Sequence, residues 1–195
     1  WNVHGLGERE RDEVEQLAAG PGLAAGQAVY RKRGTDKEYV RDATGNLVKR
    51  YVARMDGDDL APPYRLAHCF DLLETHPEIG IVGGAAQFID TAGRPLRVFQ
   101  PPLEHAAIDR AFRRLNVMMH PTTLARRDLL VEIGGYRAAF EYAEDTDLWL
   151  RAIERTRIVN LPEILVQVRR HFGKVSFRRA ERQAVASAAA RAAAE

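Results

Sequence analysis

Residues 53–66, ARMDGDDLAPPYRL, place three carboxylates within four positions, after an apolar run and before a pair of prolines. Like charges as close as those of Asp56, Asp58 and Asp59 repel one another unless solvent or a cation relieves them. Gly57 lets one turn direct two carboxylates toward a divalent cation, and all-oxygen ligands favour Mg²⁺ or Mn²⁺. Alternatively, Asp58 or Asp59 caps the helix that the prolines introduce. Spacing alone leaves both interpretations open.

Apolar runs and helical periodicities alternate around this stretch. Residues 47–55 indicate a buried strand, and Leu66, Phe70 and Leu73 recur at helical spacing before Pro77. Strands that alternate with helices predict an α/β domain whose mainly parallel or mixed sheet is flanked by helices. Further strands are predicted at 79–84, 85–90, 158–160 and 164–169, and further helices at 8–19, around 108–115, at 126–133 with Gly134 and Gly135 as its C-cap, at 145–155 and at the C-terminus.

Composition narrows the classes of protein. The chain has 195 residues, 46% of them hydrophobic, which suits a single core. A net charge of +2 gives no field that would indicate a nucleic-acid partner. A lone cysteine, Cys69, favours a reducing, cytoplasmic setting, where it is a small buried hydrophobe. Neither a membrane span nor a secretion signal is evident, so we expect a soluble or peripheral protein.

A second acidic stretch, EYAEDTD at 141–147, leads into the predicted helix 145–155 and includes its first residues. One of its carboxylates could face a cleft and act as a general base, whereas Asp147 is expected to cap the helix. Other motifs are excluded: an EF-hand loop starting at Asp56 would need glycine and glutamate where Ala61 and Ala67 stand. No dinucleotide fingerprint, Walker A loop or G-x-S-x-G elbow occurs.

The chain resembles the family 2 glycosyltransferases, which have the A-type nucleotide-sugar-binding fold. Three segments carry the resemblance in the family's order, at 50–84, 118–154 and 158–176. Each motif alone is weak, but their joint occurrence with these spacers is specific.

The resemblance implies roles for particular residues. Asp56 and Asp58 match the family's Asp-x-Asp motif, which holds Mn²⁺ or Mg²⁺ and the donor's ribose and diphosphate, and Asp59 is grouped with the donor-binding residues. Asp145 matches the catalytic base, and Glu144 would bind the acceptor or orient the loop. His171 aligns with a histidine that reaches the metal in some relatives, and a surface or capping role fits it equally well.

The implied reaction is displacement with inversion, from a nucleotide-diphosphate sugar, with a UDP-sugar preferred, to a carbohydrate or lipid-linked acceptor. QVRRH at 167–171 replaces the Gln-x-x-Arg-Trp of processive relatives, which favours single additions in cell-surface polysaccharide or glycolipid synthesis. His120, Tyr136 and Trp149 are expected to be wall, turn or core residues. Basic residues near the C-terminus either favour the anionic inner membrane face or form a solvated charged helix, and the sequence leaves both open: Arg169, Arg170, Lys174, Arg178, Arg179 and Arg182.

Two features depart from the family. The first strands, which cradle the nucleotide base, are not recognisable upstream of Leu47, and the chain begins with Trp1, so we expect a truncated or diverged front. The expected organisation is a nucleotide-binding remnant at 1–46, a core at 47–176 and an Ala/Arg-rich helix at 177–195. The alternatives are a catalytically impaired fragment of such an enzyme and a metal-dependent nucleotidyltransferase.

Overall fold

The computed structural model describes residues 14–16, 29–32, 38–41, 47–170 and 180–193. The first four strands of this part form an antiparallel meander in chain order. Its members are β1 (Val14–Gln16), β2 (Val29–Lys32), β3 (Glu38–Arg41) and β4 (Leu47–Lys49). The helix predicted at 8–19 is therefore wrong at Val14–Gln16, where backbone pairing with β2 overrides a weak local preference.

A second, five-stranded sheet carries the rest of the fold. Its strand β6 pairs antiparallel with β7 and β8, β8 pairs antiparallel with β5, and β9 runs parallel to β6. The bounds are β5 (Tyr51–Ala53), β6 (Ile79–Ile89), β7 (Pro95–Phe99), β8 (Leu124–Arg126) and β9 (Arg157–Arg169). The helices are α1 (Arg65–Thr75), α2 (His105–Phe112), α3 (Arg127–Glu132), α4 (Glu144–Ile153) and α5 (Ala180–Ala192), with 3-10 turns at His120–Thr122 and Ala138–Phe140.

Strand β6 is buried along almost its whole length because helices cover both faces of the sheet. Ile81 contributes to a core with α2, α3 and α4, whereas its neighbour Val82 contributes to a core with α1. This alternation follows from the two-residue period of a strand. The predicted mixed sheet flanked by helices is confirmed and is consistent with the A-type fold. The mainly parallel alternative is wrong, because β6 and β9 are the one parallel pair among the described strands of this sheet.

Two strand predictions merge into longer elements. The segments predicted at 79–84 and 85–90 form the single strand β6, and those predicted at 158–160 and 164–169 form β9. The gap predicted within β9 corresponds to a bulge: Leu161 pairs with Gly84, but Ile164 pairs with Ala85. Pro162 and Glu163 are the extra residues, because proline cannot donate to a strand ladder.

Helix α1 differs from its prediction in the face it buries. The side chains buried are Arg65, Cys69 and Leu73, while Leu66 is 54% exposed. Leu73 is thus buried as predicted, and Cys69, which packs with it in one core cluster, takes the inward position that the prediction gave to the partly buried Phe70. The predicted burial of Cys69 is confirmed, and Gly134 and Gly135 have φ of +78° and +60°, as their predicted role at the end of α3 requires.

Candidate active site

The acidic loop follows β5 and lies at the edge of the second sheet. Leu60 exchanges backbone hydrogen bonds of 3.0 and 2.8 Å with Gln167 of β9, which ties the end of the loop to that strand. One oxygen from each of Asp56, Asp58 and Asp59 lies within 4.8 Å of the others. Among the described residues, this is the one group of three such side chains that could hold a metal ion.

The capping alternative for this loop is wrong for α1. That helix begins at Arg65 with Tyr64 at its N-cap, five positions beyond Asp59. Asp59 is instead 4% exposed, and its Oδ1 accepts a 3.0 Å hydrogen bond from the backbone N–H of Arg169. The Arg169 guanidinium donates to the carbonyl oxygens of Asp58, Asp90 and Thr91 at 3.0 to 3.1 Å. Asp59 and Arg169 therefore anchor the loop to β9.

Asp56 lies against a cation that belongs to the chain itself. Arg54 Nη1 is 2.6 Å from Asp56 Oδ1, and both side chains are about one-third exposed or less, at 27% and 35%. Two fixed points hold the backbone of Arg54: its N–H donates to Thr123 at 3.0 Å, and its carbonyl accepts from buried Arg65 at 2.6 Å. The acidic loop thus begins from a rigid strand end.

The pair His120 and Tyr136 links this loop to the second acidic stretch. A 2.8 Å hydrogen bond joins His120 Nε2 and the Tyr136 hydroxyl. Burial, with help from the charge of Arg54, lowers the pKa of His120 to about 4, while the Asp56 carboxylate opposes this shift. Burial raises the pKa of Tyr136 to about 12, with contributions from Asp145 and Glu144. The charges of both acidic stretches therefore reach this one neutral pair.

Asp145 lies in the first turn of α4 and is held by neighbours. Its Oδ2 accepts a 2.9 Å hydrogen bond from Asn116 Nδ2, and its Oδ1 accepts a 2.7 Å bond from the backbone N–H of Thr146. Burial raises the pKa of the Asp145 carboxyl, and these hydrogen bonds oppose the shift. A carboxylate of raised pKa and set orientation is suited to accept a proton.

Asp147 does not cap α4. Ala143 is at the N-cap, and Asp147 is a buried residue, 1% exposed, bound by both Arg137 and Arg151. Burial alone would raise the pKa of Asp147, but the hydrogen bonds from the two arginines lower it below its ordinary value. Arg151 also donates to the carbonyls of Ile133 and, at 2.7 Å, Gly135. Asp147 therefore fastens α4 to the turn that precedes Tyr136.

An open cleft of about 570 Å³ adjoins the second acidic stretch. It is lined by Tyr136, Arg137, Ala138, Glu141, Tyr142 and Glu144. Tyr142 has φ of +72°, an uncommon conformation for a residue with a side chain. Glu144, which the sequence associates with an acceptor, thus faces a space of a size that small ligands occupy.

The carboxylates of the acidic loop suit a hard divalent cation. Asp56 and Asp58 are carboxylates on one loop with no nitrogen or sulfur ligand among the described residues of the cluster, which is the ligand chemistry of Mg²⁺ and Mn²⁺. Asp59 lies within the same group, although one of its oxygens is used in the anchor to Arg169. The predicted metal ligand His171 lies outside the described residues.

Several residues of this site were not predicted as functional. His120 and Tyr136 were expected to be wall or turn residues, and Arg54, Asn116 and Arg169 carried no prediction of this kind for the site. Except for the Arg54–Asp56 pair, their partners at this site are 16 or more positions away, as with the Arg169–Asp59 bond across 110 positions. Only Arg54, two positions before Asp56, could have been suspected from its neighbourhood. Trp149, by contrast, is a core residue as predicted, at 1% exposed.

Comparison with known proteins finds similarity to glycosyltransferases. The chain is 34% identical over 129 residues to the amylovoran biosynthesis glycosyltransferase AmsE of Erwinia amylovora, covering 66% of this chain and 48% of that protein. It is 31% identical over 123 residues to the O-antigen biosynthesis glycosyltransferase WbnJ of Escherichia coli, covering 62% and 47% of the two chains. It is 34% identical over 131 residues to the putative glycosyltransferase EpsE of Bacillus subtilis, covering 65% and 44%.

No model of a known protein family matches the chain. The chain spans about half the length of the curated relatives it matches. Within the part of the chain that the structure describes, no helix is both long and apolar enough to cross a bilayer. The similarity is to glycosyltransferases named for the synthesis of bacterial polysaccharides, and it supports a glycosyltransferase.

Proposed function

We propose that this chain is the part of a metal-dependent, inverting family 2 glycosyltransferase that holds the donor's diphosphate and supplies the catalytic base. The observation that carries the proposal is the linkage of two acidic stretches through the His120–Tyr136 pair. The charges of Arg54 and Asp56 act on His120, and those of Asp145 and Glu144 act on Tyr136. A transferase needs both groups, because one binds the leaving diphosphate and the other activates the acceptor hydroxyl.

Asp56 and Asp58 would hold Mn²⁺ or Mg²⁺, and Asp59 would keep their loop in place through Arg169. When bound, such an ion neutralises the charge that develops on the leaving nucleoside diphosphate. We propose His171 as a further ligand of the ion, from the sequence resemblance alone.

Asp145 would accept the proton of the acceptor hydroxyl while that oxygen attacks the anomeric carbon from the face opposite the diphosphate. Its burial makes the carboxylate a stronger base, and Asn116 and Thr146 hold it in one orientation. Glu144 would contact the acceptor, because it lines the adjoining cleft together with Tyr136 and Tyr142. Tyrosine rings are suited to pack against sugar rings while their hydroxyls bind polar groups.

The names of the relatives suggest the wider setting. Since AmsE and WbnJ are named for amylovoran and O-antigen synthesis, we propose a role in cell-surface polysaccharide or glycolipid synthesis. A UDP-sugar is the proposed donor, a carbohydrate or lipid-linked hydroxyl is the proposed acceptor, and a single addition is the proposed outcome. The proposed location is the cytoplasm, with peripheral contact at the inner membrane face.

Calorimetric titration with UDP tests the donor site. We expect UDP to bind appreciably with Mn²⁺ and at least tenfold more weakly in chelator or in Asp56→Asn and Asp58→Asn, since the ion links the carboxylates to the diphosphate. Asp109→Asn, which removes a half-buried carboxylate paired with Arg113 at 3.8 Å, is the matched control and should bind like the wild type. Equal affinity with and without metal would remove the metal from the proposal. A separate product assay tests the reaction class: release of pyrophosphate from a nucleotide substrate would favour a nucleotidyltransferase.

A further inference from the structure

Arg54 places a positive charge at the candidate donor site. The sequence analysis gives this residue no functional role. Its backbone is held on both sides, by a 3.0 Å bond to Thr123 and a 2.6 Å bond from Arg65, which is 3% exposed. The side chain takes no part in either bond. Its guanidinium can therefore change partner without moving the strand end from which the acidic loop begins.

The Arg54 guanidinium now lies against the first carboxylate of the acidic loop. It lies 2.6 Å from Asp56 Oδ1, and its positive charge acts on both His120 and Tyr136. Asp56 is also the first carboxylate of the group that could hold a divalent ion. Arg54 and a metal ion would thus share one anionic partner.

Two cations at one carboxylate repel each other unless further negative charge arrives. A diphosphate brings that charge, and its oxygens match the planar donor fork of arginine. A metal ion alone must displace Arg54 from Asp56 into a space with no added anion. A metal ion accompanied by a diphosphate offers the displaced guanidinium a new partner.

We propose that Arg54 is a donor-binding residue that pairs with Asp56 in the empty site and transfers to the diphosphate when metal and nucleotide bind together. Arg54 thereby makes cation binding conditional on the nucleotide. This inference rests on the proposed function, since it takes the ligand to be a metal–nucleoside diphosphate.

Mn²⁺ binding, followed by the electron paramagnetic resonance signal of the free ion, tests the inference without any activity assay. In the wild type, Mn²⁺ alone should bind weakly, and saturating UDP should tighten it roughly tenfold or more, as expected for a coupling between two ligands. Arg54→Gln removes the competing charge, so Mn²⁺ alone should bind about 3- to 10-fold more tightly, and the gain from UDP should fall to about threefold or less.

Two further variants sharpen the test. Arg113→Gln removes an exposed arginine that is paired with Asp109, and it should behave as the wild type. Arg54→Lys keeps a positive charge beside Asp56, so Mn²⁺ alone should remain weakly bound. Thermal unfolding of each variant checks that the fold is retained.

The outcomes separate this inference from the proposed function. If Arg54→Gln binds Mn²⁺ as the wild type does and keeps the full gain from UDP, the inference is overturned while the metal site stands. The inference is also overturned if Arg54→Lys binds Mn²⁺ alone as tightly as Arg54→Gln. If the wild type binds no Mn²⁺ even with UDP, the metal site of the proposed function is overturned and the inference with it.

Discussion

Asn116 controls both the position and the basicity of Asp145. Its 2.9 Å hydrogen bond to Oδ2 favours the ionised carboxylate. In Asn116→Ala the pKa of Asp145 should therefore rise further, and the acidic limb of the pH–rate profile, where the base becomes protonated, should move to higher pH. We expect about a tenfold loss of rate near neutral pH, in line with the loss of one hydrogen bond to a charged group. An unchanged acidic limb would show that Asp145 is not the group that titrates.

His120 makes the stability of the fold depend on pH. Its pKa is about 4 in the folded chain and about 6.5 in an unfolded one, so the fold favours the neutral imidazole. The stability that depends on neutral His120 is complete above about pH 6.5 and is lost as the pH falls through about 4. Relative to His120→Gln, the wild type should lose about 3 kcal/mol over this range, measured by urea unfolding at several pH values. Parallel pH dependence of the two proteins would contradict the assignment.

Asp147 fastens helix α4 to the turn before Tyr136. Its carboxylate is 2% exposed and binds Arg137 and Arg151, whose side chains are 46% and 19% exposed. Asp147→Asn leaves two arginines without their anion, and we expect a loss of about 2 to 4 kcal/mol of unfolding free energy, reduced from a fully buried pair by solvent around Arg137. Urea unfolding measures it, with Asp109→Asn as the control. A loss of unfolding free energy below about 1 kcal/mol would show that Asp147 contributes no more than a helix cap does.

Arg169 fastens the acidic loop to β9. Its guanidinium binds the carbonyls of Asp58, Asp90 and Thr91. In Arg169→Met the backbone bond to Asp59 remains, but the loop loses the hydrogen bond from the guanidinium to the Asp58 carbonyl oxygen. Mn²⁺ affinity in the presence of UDP should therefore fall about 3- to 10-fold. Arg170→Met, the neighbouring exposed arginine that lies 4.9 Å over the Phe88 ring, removes equal charge and should have little effect. Equal losses in both variants would indicate a general charge effect.

Local pattern predicted the elements better than the contacts between them. The apolar run of β6 and the helical spacing of Leu66, Phe70 and Leu73 are local, so the sheet and its covering helices could be predicted. The inward face of α1 could not, because Leu66 is exposed and Cys69 is buried once the helix packs on the sheet. The N-terminal strand Val14–Gln16 could not, because its pairing with β2 decides it. The sequence predicts a helix cap at Asp147, because its two arginine partners become evident only once the turn before α4 is folded.

In the candidate site, too, local features could be predicted from the sequence and contacts between distant residues could not. Asp56, Asp58 and Asp145 stand out because each lies in an acidic stretch next to a predicted strand or helix. The pairing of Arg54 with Asp56 and of His120 with Tyr136 depends on how β5, β8 and the turn before α4 meet in space. The clustering of charges could therefore be predicted, while the neutral pair that joins the two clusters could not.

The most direct test is acceptor-dependent release of nucleoside diphosphate from a nucleotide sugar by this protein. With Mn²⁺ and a carbohydrate or lipid-linked acceptor, we predict release of the diphosphate that falls about 10²- to 10⁴-fold in Asp145→Asn, the usual contribution of a general base, while UDP affinity stays unchanged. Asp71→Asn, an exposed carboxylate on α1, should retain full activity. Full activity in Asp145→Asn, or release of pyrophosphate instead of the diphosphate, would contradict the account.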